Sequence, residues 1–598
     1  MTTPRTLNHL FFEAVERFST KRAALRHRVD GVWRDISHQE LARRVHHTAL
    51  GLYEFGIRPG DRVAIYSHNR PEWAVADYAC LTARCADVAI YPTLPGQQIE
   101  YLIRDSGATA IFVGDRGQYE QVQSVRASLP QLKTVFMFGA PREGDDVIPF
   151  QQLLRHGAAA ESRYPAYRQD ALTASPDDLA TLIYTSGTTG DPKGVMLTHR
   201  NFTSNVVAAL PRLPVGADDS ALSLLPLSHS FERMGGHYTL FHAGVTIAYA
   251  ENIELVAANM QEVRPTVLLA VPRLYEKIYG RVLENAMAGS SLKRRIFFWA
   301  KRNGEAWADR VLAGQPVPAG LGIKRAIGDR LVFSKLRART GGRIRFFVSG
   351  GAPLSADIAK FFYAAGLPIL EGYGLSESSP VICLNPLEKP KLGTVGPAIS
   401  GVEVRIAEDG EILARGPNIM KGYHNKPDAT REAVDTDGWL HTGDIGELDA
   451  EGYLRITDRK KDIIVTAGGK NIAPQPIENL IKTNGFVANA VMLGDKRKFP
   501  IMLVVPNRDA LLKWATERGL PTADYDALLA HPDAVAKVER EVMANLRDLA
   551  SYETPKKFVL LATDFSIESG ELTPTMKVKR RVVEQRYKDL IERAFVGD

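Results

Sequence analysis

Residues 179–199 read LATLIYTSGTTGDPKGVMLTH. Two short β-prone runs, Leu182-Ile-Tyr184 and Val195-Met-Leu197, bracket a stretch rich in Thr, Ser and Gly, which predicts strand, loop, strand. Gly187 and Gly190 permit positive φ and close backbone approach, so successive amide N–H groups can converge on an anion. Ser186, Thr188 and Thr189 add hydroxyl donors and Lys193 adds a point charge. The plain alternative is a hairpin turn whose glycines serve only the bend. A Walker-type phosphate loop is excluded, because Gly194 follows Lys193 where Ser or Thr is needed, and a strand follows where a helix N-terminus is needed.

On either side of this loop the chain alternates strand and helix patterns. Asp61-Arg-Val-Ala-Ile-Tyr66 follows the turn Arg58-Pro-Gly60 as a buried strand, residues 71–81 read as a helix, and Asp87-Val-Ala-Ile-Tyr91 and Ala108-Thr-Ala-Ile-Phe-Val113 repeat the theme. Thr266-Val-Leu-Leu-Ala270 and Arg345-Phe-Phe-Val348 continue it. Strands separated by helical crossovers imply parallel sheet and an α/β fold. Over about 395–457 the pattern changes to short strands such as Glu403-Val-Arg-Ile406 and Glu411-Ile-Leu413, split by Gly and Asp turns, which predicts a small antiparallel β subdomain. After Asp458-Arg-Lys-Lys-Asp462 comes a smaller α+β unit, with helices near 476–483 and 533–549 and strands near 487–493, 501–505 and 557–561. The expected layout is a large N-terminal domain of layered α/β subdomains, residues 1–458, and a mobile C-terminal domain, residues 459–598.

Composition bounds the class. The 598 residues carry 75 Lys and Arg against 69 Asp and Glu, for a net charge of +6. Hydrophobic content of 45% and charged content of 24% are globular values and exclude bulk disorder. Mean hydropathy is −0.16, and no apolar run reaches the roughly 18 residues of a spanning helix. The opening MTTPRTLNHLFFEAVERF reads as an amphipathic helix, not a secretory signal. Cys80, Cys85 and Cys383 form neither a disulfide framework nor a zinc-ligand pattern. These features predict a soluble protein of a reducing, cytoplasmic compartment. One segment stands apart: residues 293–345 hold fourteen Lys and Arg against Glu305, Asp309 and Asp329. Ile296, Trp299, Ala300, Trp307 and Val311 fall near one helical face there. The segment reads either as a solvated helical insertion or as a patch for anionic lipid on the inner face of a membrane. No nucleic-acid-binding motif accompanies the charge.

Taken with later motifs, Tyr184-Thr-Ser-Gly-Thr-Thr-Gly-Asp-Pro-Lys-Gly194 resembles the signature loop of the adenylate-forming enzymes. Leu225-Pro-Leu-Ser-His-Ser-Phe231, Ser349-Gly-Gly-Ala-Pro353, Gly372-Tyr-Gly-Leu-Ser-Glu377, Thr442-Gly-Asp444, Asp458-Arg-Lys-Lys461 and Thr573-Pro-Thr-Met-Lys577 follow in that family's order. The stretch Asp437-Gly-Trp-Leu-His-Thr-Gly-Asp-Ile-Gly446 is most similar to the long-chain fatty acyl-CoA synthetases. The resemblance implies ATP, Mg²⁺ and CoA as co-reactants of a fatty acid: the carboxylate attacks the α-phosphorus, pyrophosphate leaves, and CoA displaces AMP from the acyl-adenylate.

It also implies roles. Thr185, the loop 186–190 and Lys193 would hold phosphates; Glu377 would carry Mg²⁺; Gly350, Gly351, Ala352, Glu371, Gly372, Tyr373, Gly374 and Ser376 would line the nucleotide; and Asp444 and Arg459 would hold the ribose. Lys577 would be the adenylation lysine, although relatives outside the long-chain group place Gly where this chain has Met576. Lys461 would be the hinge about which the C-terminal domain turns between half-reactions, and Gly468 and Gly469 would face CoA. His229 falls where the family places a His beside the carboxylate, and Phe231, Glu232 and Arg233 fall in the region that gates the acyl channel in related enzymes. Local alternatives stay open: Asp444 could cap a turn after Gly443, Glu377 could be a surface residue, His229 could be structural, and Lys461 could belong to an ordinary basic turn. Two rival functions remain, a fatty acyl-AMP ligase serving a carrier protein and a membrane-docked scaffold with a vestigial site.

Overall fold

A computed structural model describes residues 5–185, 191–252, 254–547, 549–566, 569–573 and 578–595. Ser186, Gly187, Thr188, Thr189, Gly190 and Lys577 lie outside the described residues. The strands that flank the loop are as the pattern predicts: Leu179–Thr185 runs antiparallel to Lys193–Thr198, with Tyr184 opposite Gly194 and Thr185 opposite Lys193. This hairpin lies in an eight-stranded sheet ordered 422–423, 193–198, 179–185, 86–90, 62–66, 110–113, 134–137 and 148–149. From 179–185 to 148–149 all neighbours are parallel. Strands Ala86–Ile90 and Ala110–Val113 are buried along their whole length, as expected of a sheet covered on both faces. The helix Pro71–Thr82, with Pro at its first position, buries every residue but Glu72; an apolar helix of this kind belongs inside a large domain.

A second eight-stranded sheet is ordered 381–384, 369–374, 346–349, 267–270, 220–223, 246–249, 25–29 and 32–36. It is parallel except at its two ends, where hairpin-like antiparallel pairs close it. Strands 403–406, 411–415, 440–448 and 454–459 form a four-stranded, wholly antiparallel sheet. Beyond it, strands 487–493, 501–506 and 557–560 form a three-stranded sheet, with helices Pro474–Lys482 and Pro532–Asn545 alongside. Apolar residues from Ile464 onward bury themselves in two clusters that share no member with the cores of the preceding chain.

Two features depart from the sequence pattern. The first concerns Phe231–Thr239, a π-helical segment packed between strands of the two large sheets. Phe231 faces the main cavity, but Glu232 and Arg233 turn into the core and are fully buried. The Arg233 guanidinium donates to Asp87 Oδ1 and Thr181 Oγ1 at 2.8 Å, to Tyr238 Oη at 2.9 Å, and to the Asp77 carboxylate. Burial and the neighbouring Asp87 push the Asp77 carboxyl up against the opposing pull of Arg233. One proton on Asp77 leaves an Arg233–Asp87 pair that is charge-balanced. The second concerns the helix Ser291–Leu312 in the basic segment, which buries Phe297, Ala300, Gly304 and Ala308; the bulky Ile296, Trp299, Trp307 and Val311 are only half-buried. Small residues win that seam because the partner approaches too closely for large ones: a Cβ at Gly304 would lie 2.8 Å from Phe333 Cζ.

The three cysteines are buried and free. Among the described residues, no helix is long and apolar enough to cross a membrane.

Candidate active site

A cavity of about 1300 Å³ opens where the two large sheets, the four-stranded sheet and the C-terminal segment meet. Thr185, Lys193, His229, Gly350, Gly351, Ala352, Glu371, Gly372, Tyr373, Gly374, Ser376, Glu377, Asp444, Arg459 and Lys461 all line it. Thr573 and Val578, on either side of the undescribed residues 574–577, line it too. Gly468 and Gly469 do not; they are exposed on a turn, Gly469 at φ +74°.

Asp444 is no turn cap. It lies inside the strand Leu440–Leu448, directly opposite Arg459 on the neighbouring antiparallel strand. Its Oδ2 accepts from Tyr373 Oη at 2.6 Å, and its Oδ1 is 3.4 Å from Arg459 Nε. Burial and the Asp444 carboxylate raise the Tyr373 phenol well above its ordinary value, so it stays a donor. Below this pair Glu411 accepts from the Gly443 N–H at 2.9 Å and from Lys460 Nζ at 3.0 Å, which fixes the strand entering the site.

Glu377 follows Ser376 in a single 3-10 turn on the cavity wall. Tyr423 Oη donates to its Oε1 at 2.8 Å, and Lys193 Nζ lies 4.9 Å from the centroid of the same Tyr423 ring. One tyrosine thus spaces a carboxylate from an ammonium and keeps Glu377 Oε2 for another ligand. Local sequence gives no sign of Tyr423. It reaches the site because strand 422–423 pairs with 195–196, more than two hundred residues earlier in the chain.

His229 Nδ1 accepts the Phe231 N–H at 3.2 Å, so the neutral tautomer carries its proton on Nε2. Ser230 Oγ and Ser376 Oγ are 3.2 Å apart, joining the His229 turn to the Glu377 turn. Two of the glycines have packing reasons of their own. A Cβ at Gly374 would fall 1.6 Å from Pro380 O, and one at Gly350 would fall 3.0 Å from Phe231 Cζ.

Glu371 lines the cavity yet is almost wholly buried, and its Oε1 has no hydrogen-bond partner among the described residues. Burial pushes its carboxyl up to about 8, against the N–H groups of Gly393 and Leu354 that favour the ionised form. A carboxyl raised from 4.5 binds its proton more tightly folded than unfolded, so folding stability falls as pH rises from about 4.5 to about 8. Glu371→Gln is therefore expected to flatten the fall in melting temperature between pH 5 and pH 8. Thermal melts across that range check it, and parallel curves for the two proteins would contradict the assignment.

Comparison with known proteins identifies the family. The family model described as AMP-binding enzyme matches residues 11–424, and that described as AMP-binding enzyme C-terminal domain matches residues 461–598. The Mycobacterium bovis protein named long-chain-fatty-acid–CoA ligase FadD15 is 38% identical over 572 residues, covering 95% of this chain and 93% of its own. The anthranilate CoA ligase AuaEII, solved with anthranoyl-AMP, shares the fold at a TM-score of 0.75 and 18% identity over 99% of both chains. ATP-bound MatB from Rhodopseudomonas palustris does so at 0.69 and 23%, over 98% of this chain and 99% of its own. The chain belongs to the adenylate-forming AMP-binding enzymes, and within them to the AMP-forming acyl-CoA ligases.

Proposed function

We propose that this protein joins a long-chain fatty acid to CoA, using ATP and releasing AMP and pyrophosphate through an acyl-adenylate. The observation that carries the reading is the single cavity of about 1300 Å³ that gathers Lys193, His229, Glu377, Asp444 and Arg459, larger than the roughly 300–1,000 Å³ of a one-ligand pocket. The name of the Mycobacterium bovis relative supports the chain-length class.

The attack brings a carboxylate onto a polyphosphate, so like charges must be screened and the reacting atoms held in line. Lys193 faces the phosphates as a point charge, together with the loop 186–190. Glu377 would hold Mg²⁺ through Oε2, a hard oxygen donor suited to that ion. The bound ion would offset phosphate charge. His229 Nε2–H donates to the carboxylate and orients it, which suits its tautomer better than proton abstraction does. Asp444, aligned by Tyr373 and Arg459, accepts from the ribose hydroxyls. The glycines at 350, 351, 372 and 374, with Ala352 and Ser376, give the adenine a wall close to the backbone, and the protonated Glu371 offers a donor at its edge.

Residues 1–458 and 459–598 act as separate domains in this reading. Lys461, next to the end of the strand Leu454–Arg459, absorbs the turn between half-reactions. That turn would bring Gly468 and Gly469 from their exposed position to the pantetheine arm of CoA. The test is incubation with ATP, Mg²⁺ and palmitate, with and without CoA, separating acyl-AMP, acyl-CoA and AMP. Palmitoyl-CoA with equimolar AMP is expected. Acyl-AMP that accumulates and ignores CoA would move the protein to the carrier-protein ligases, and no turnover on any acid would leave a vestigial site.

A further inference from the structure

The basic segment takes no part in the cavity, and the fold shows what it leaves on the surface. Its acidic residues are consumed within the protein: Glu305 pairs with Lys301 and Asp309 with Lys360, each at 2.7 Å, and Asp329 pairs with Arg337 at 2.7 Å and Arg325 at 3.4 Å. Lys293, Arg294, Arg295, Lys324, Arg330 and Lys335 are all exposed, and none makes a side-chain ion pair among the described residues. Large apolar side chains stand among these cations. Ile323 is 62% exposed, Ile327 46% and Leu331 44%, at four-residue steps along Ala319–Phe333. Leu292, 65% exposed, stands in the first turn of Ser291–Leu312 beside Lys293. The two helices are packed together: a Cβ at Gly328 would lie 3.2 Å from Ala300 Cβ, and the Arg325 guanidinium lies 4.8 Å from the Trp307 ring. The close approach of Gly328 to Ala300 joins them, and their outer faces carry both the unopposed charge and the exposed Ile and Leu.

A merely solvated face has no use for an exposed row of Ile, Ile and Leu, and a polyanion-binding face has none either. Isolated exposed apolar residues are ordinary, but a row of them at helical spacing between unpaired cations is the pattern of a helix lying in a lipid headgroup layer. We propose that this helical pair docks the protein onto a bilayer containing anionic phospholipid, with Lys293, Arg294, Arg295, Lys324, Arg330 and Lys335 over the headgroups and Ile323, Ile327, Leu331 and Leu292 dipping into the acyl boundary. Charge complementarity selects this occupant: the segment's own acids are neutralised, so its outward field is positive and unscreened by the protein itself. The docking surface stands on these helices alone and holds whichever acid the cavity takes.

The test is co-sedimentation of the full-length protein with vesicles of phosphatidylcholine, with or without about 30% phosphatidylglycerol, at low and high salt. Binding to the anionic vesicles is expected to exceed binding to pure phosphatidylcholine by on the order of tenfold or more, and to weaken as salt screens it. The triple charge reversal Lys324→Glu, Arg330→Glu and Lys335→Glu is expected to erase that difference. The triple change Ile323→Ser, Ile327→Ser and Leu331→Ser is expected to remove the binding that survives high salt. All six positions are exposed, and matching melting curves establish that both variants are folded. Wild-type binding that ignores phosphatidylglycerol, or a charge-reversed variant that binds as wild type, overturns the proposal. Loss of binding in the charge variant with full, RNA-competed binding in the serine variant would instead mark a surface for polyanions, and overturns it equally.

Discussion

Replacing Lys577 with alanine is expected to cut acyl-AMP formation by on the order of 10²–10³-fold, the scale of losing a preorganised donor to developing charge, while thioester formation from supplied acyl-AMP stays close to wild type. The argument is one of charge and of place. In the first half-reaction negative charge grows on the α-phosphate and the departing pyrophosphate, and a cation must stand there when it does. Residues 574–577 lie outside the described structure; Thr573 and Val578, on either side of them, both line the cavity. In the second half-reaction a thiolate attacks the acyl carbonyl and AMP leaves, and in this reading the turn of the C-terminal domain has by then withdrawn the lysine from the site. Pyrophosphate release measures the first step, and acyl-CoA made from synthetic acyl-AMP measures the second. Equal loss of both would remove the role given to Lys577. Lys461→Pro is the complementary variant, expected to slow the thioester step more than adenylation because it stiffens the junction without touching the adenylation charges.

Arg233→Met is expected to lower stability by about 3–5 kcal/mol, because it leaves the buried Asp77 and Asp87 without the guanidinium that pairs with them. Asp77, Asp87 and Arg233 all have fully buried side chains. Changing Asp77 and Asp87 to asparagine in the same protein is expected to recover part of the loss, since the leftover charge goes with them. Denaturant melts of the single and triple variants measure the coupling. An Arg233→Met protein as stable as wild type would show that the cluster carries no such weight.

Much of this was legible in the sequence for a physical reason. The runs 63–66, 88–90 and 490–493 are continuously apolar and buried throughout, and such runs are visible in any window. Asp444 and Arg459 are assigned from the resemblance alone, and the hairpin that joins them sets them opposite each other. What could not be read depends on distant pairing. Tyr423 touches Glu377 only because residues 422–423 join a sheet built mostly from the first two hundred residues. The resemblance puts Arg233 in the region that gates the acyl channel of related enzymes; its two carboxylate partners lie some 150 residues upstream, and no local pattern announces them. The helix at 291–312 misled differently. Hydrophobicity groups its Trp and Ile on one face, while the packing buries Phe297, Ala300, Gly304 and Ala308.

The buried cluster also limits how this chain can be recombined with its relatives. A chimera with a single crossover after Asp87 and before Arg233 takes both carboxylates from one parent and the guanidinium position from the other. Unless both parents hold the same three charges, the hybrid inherits an unmatched one at its centre. Crossovers beyond Tyr238 move the set as a unit, and that is where domain shuffling in this fold meets the least resistance.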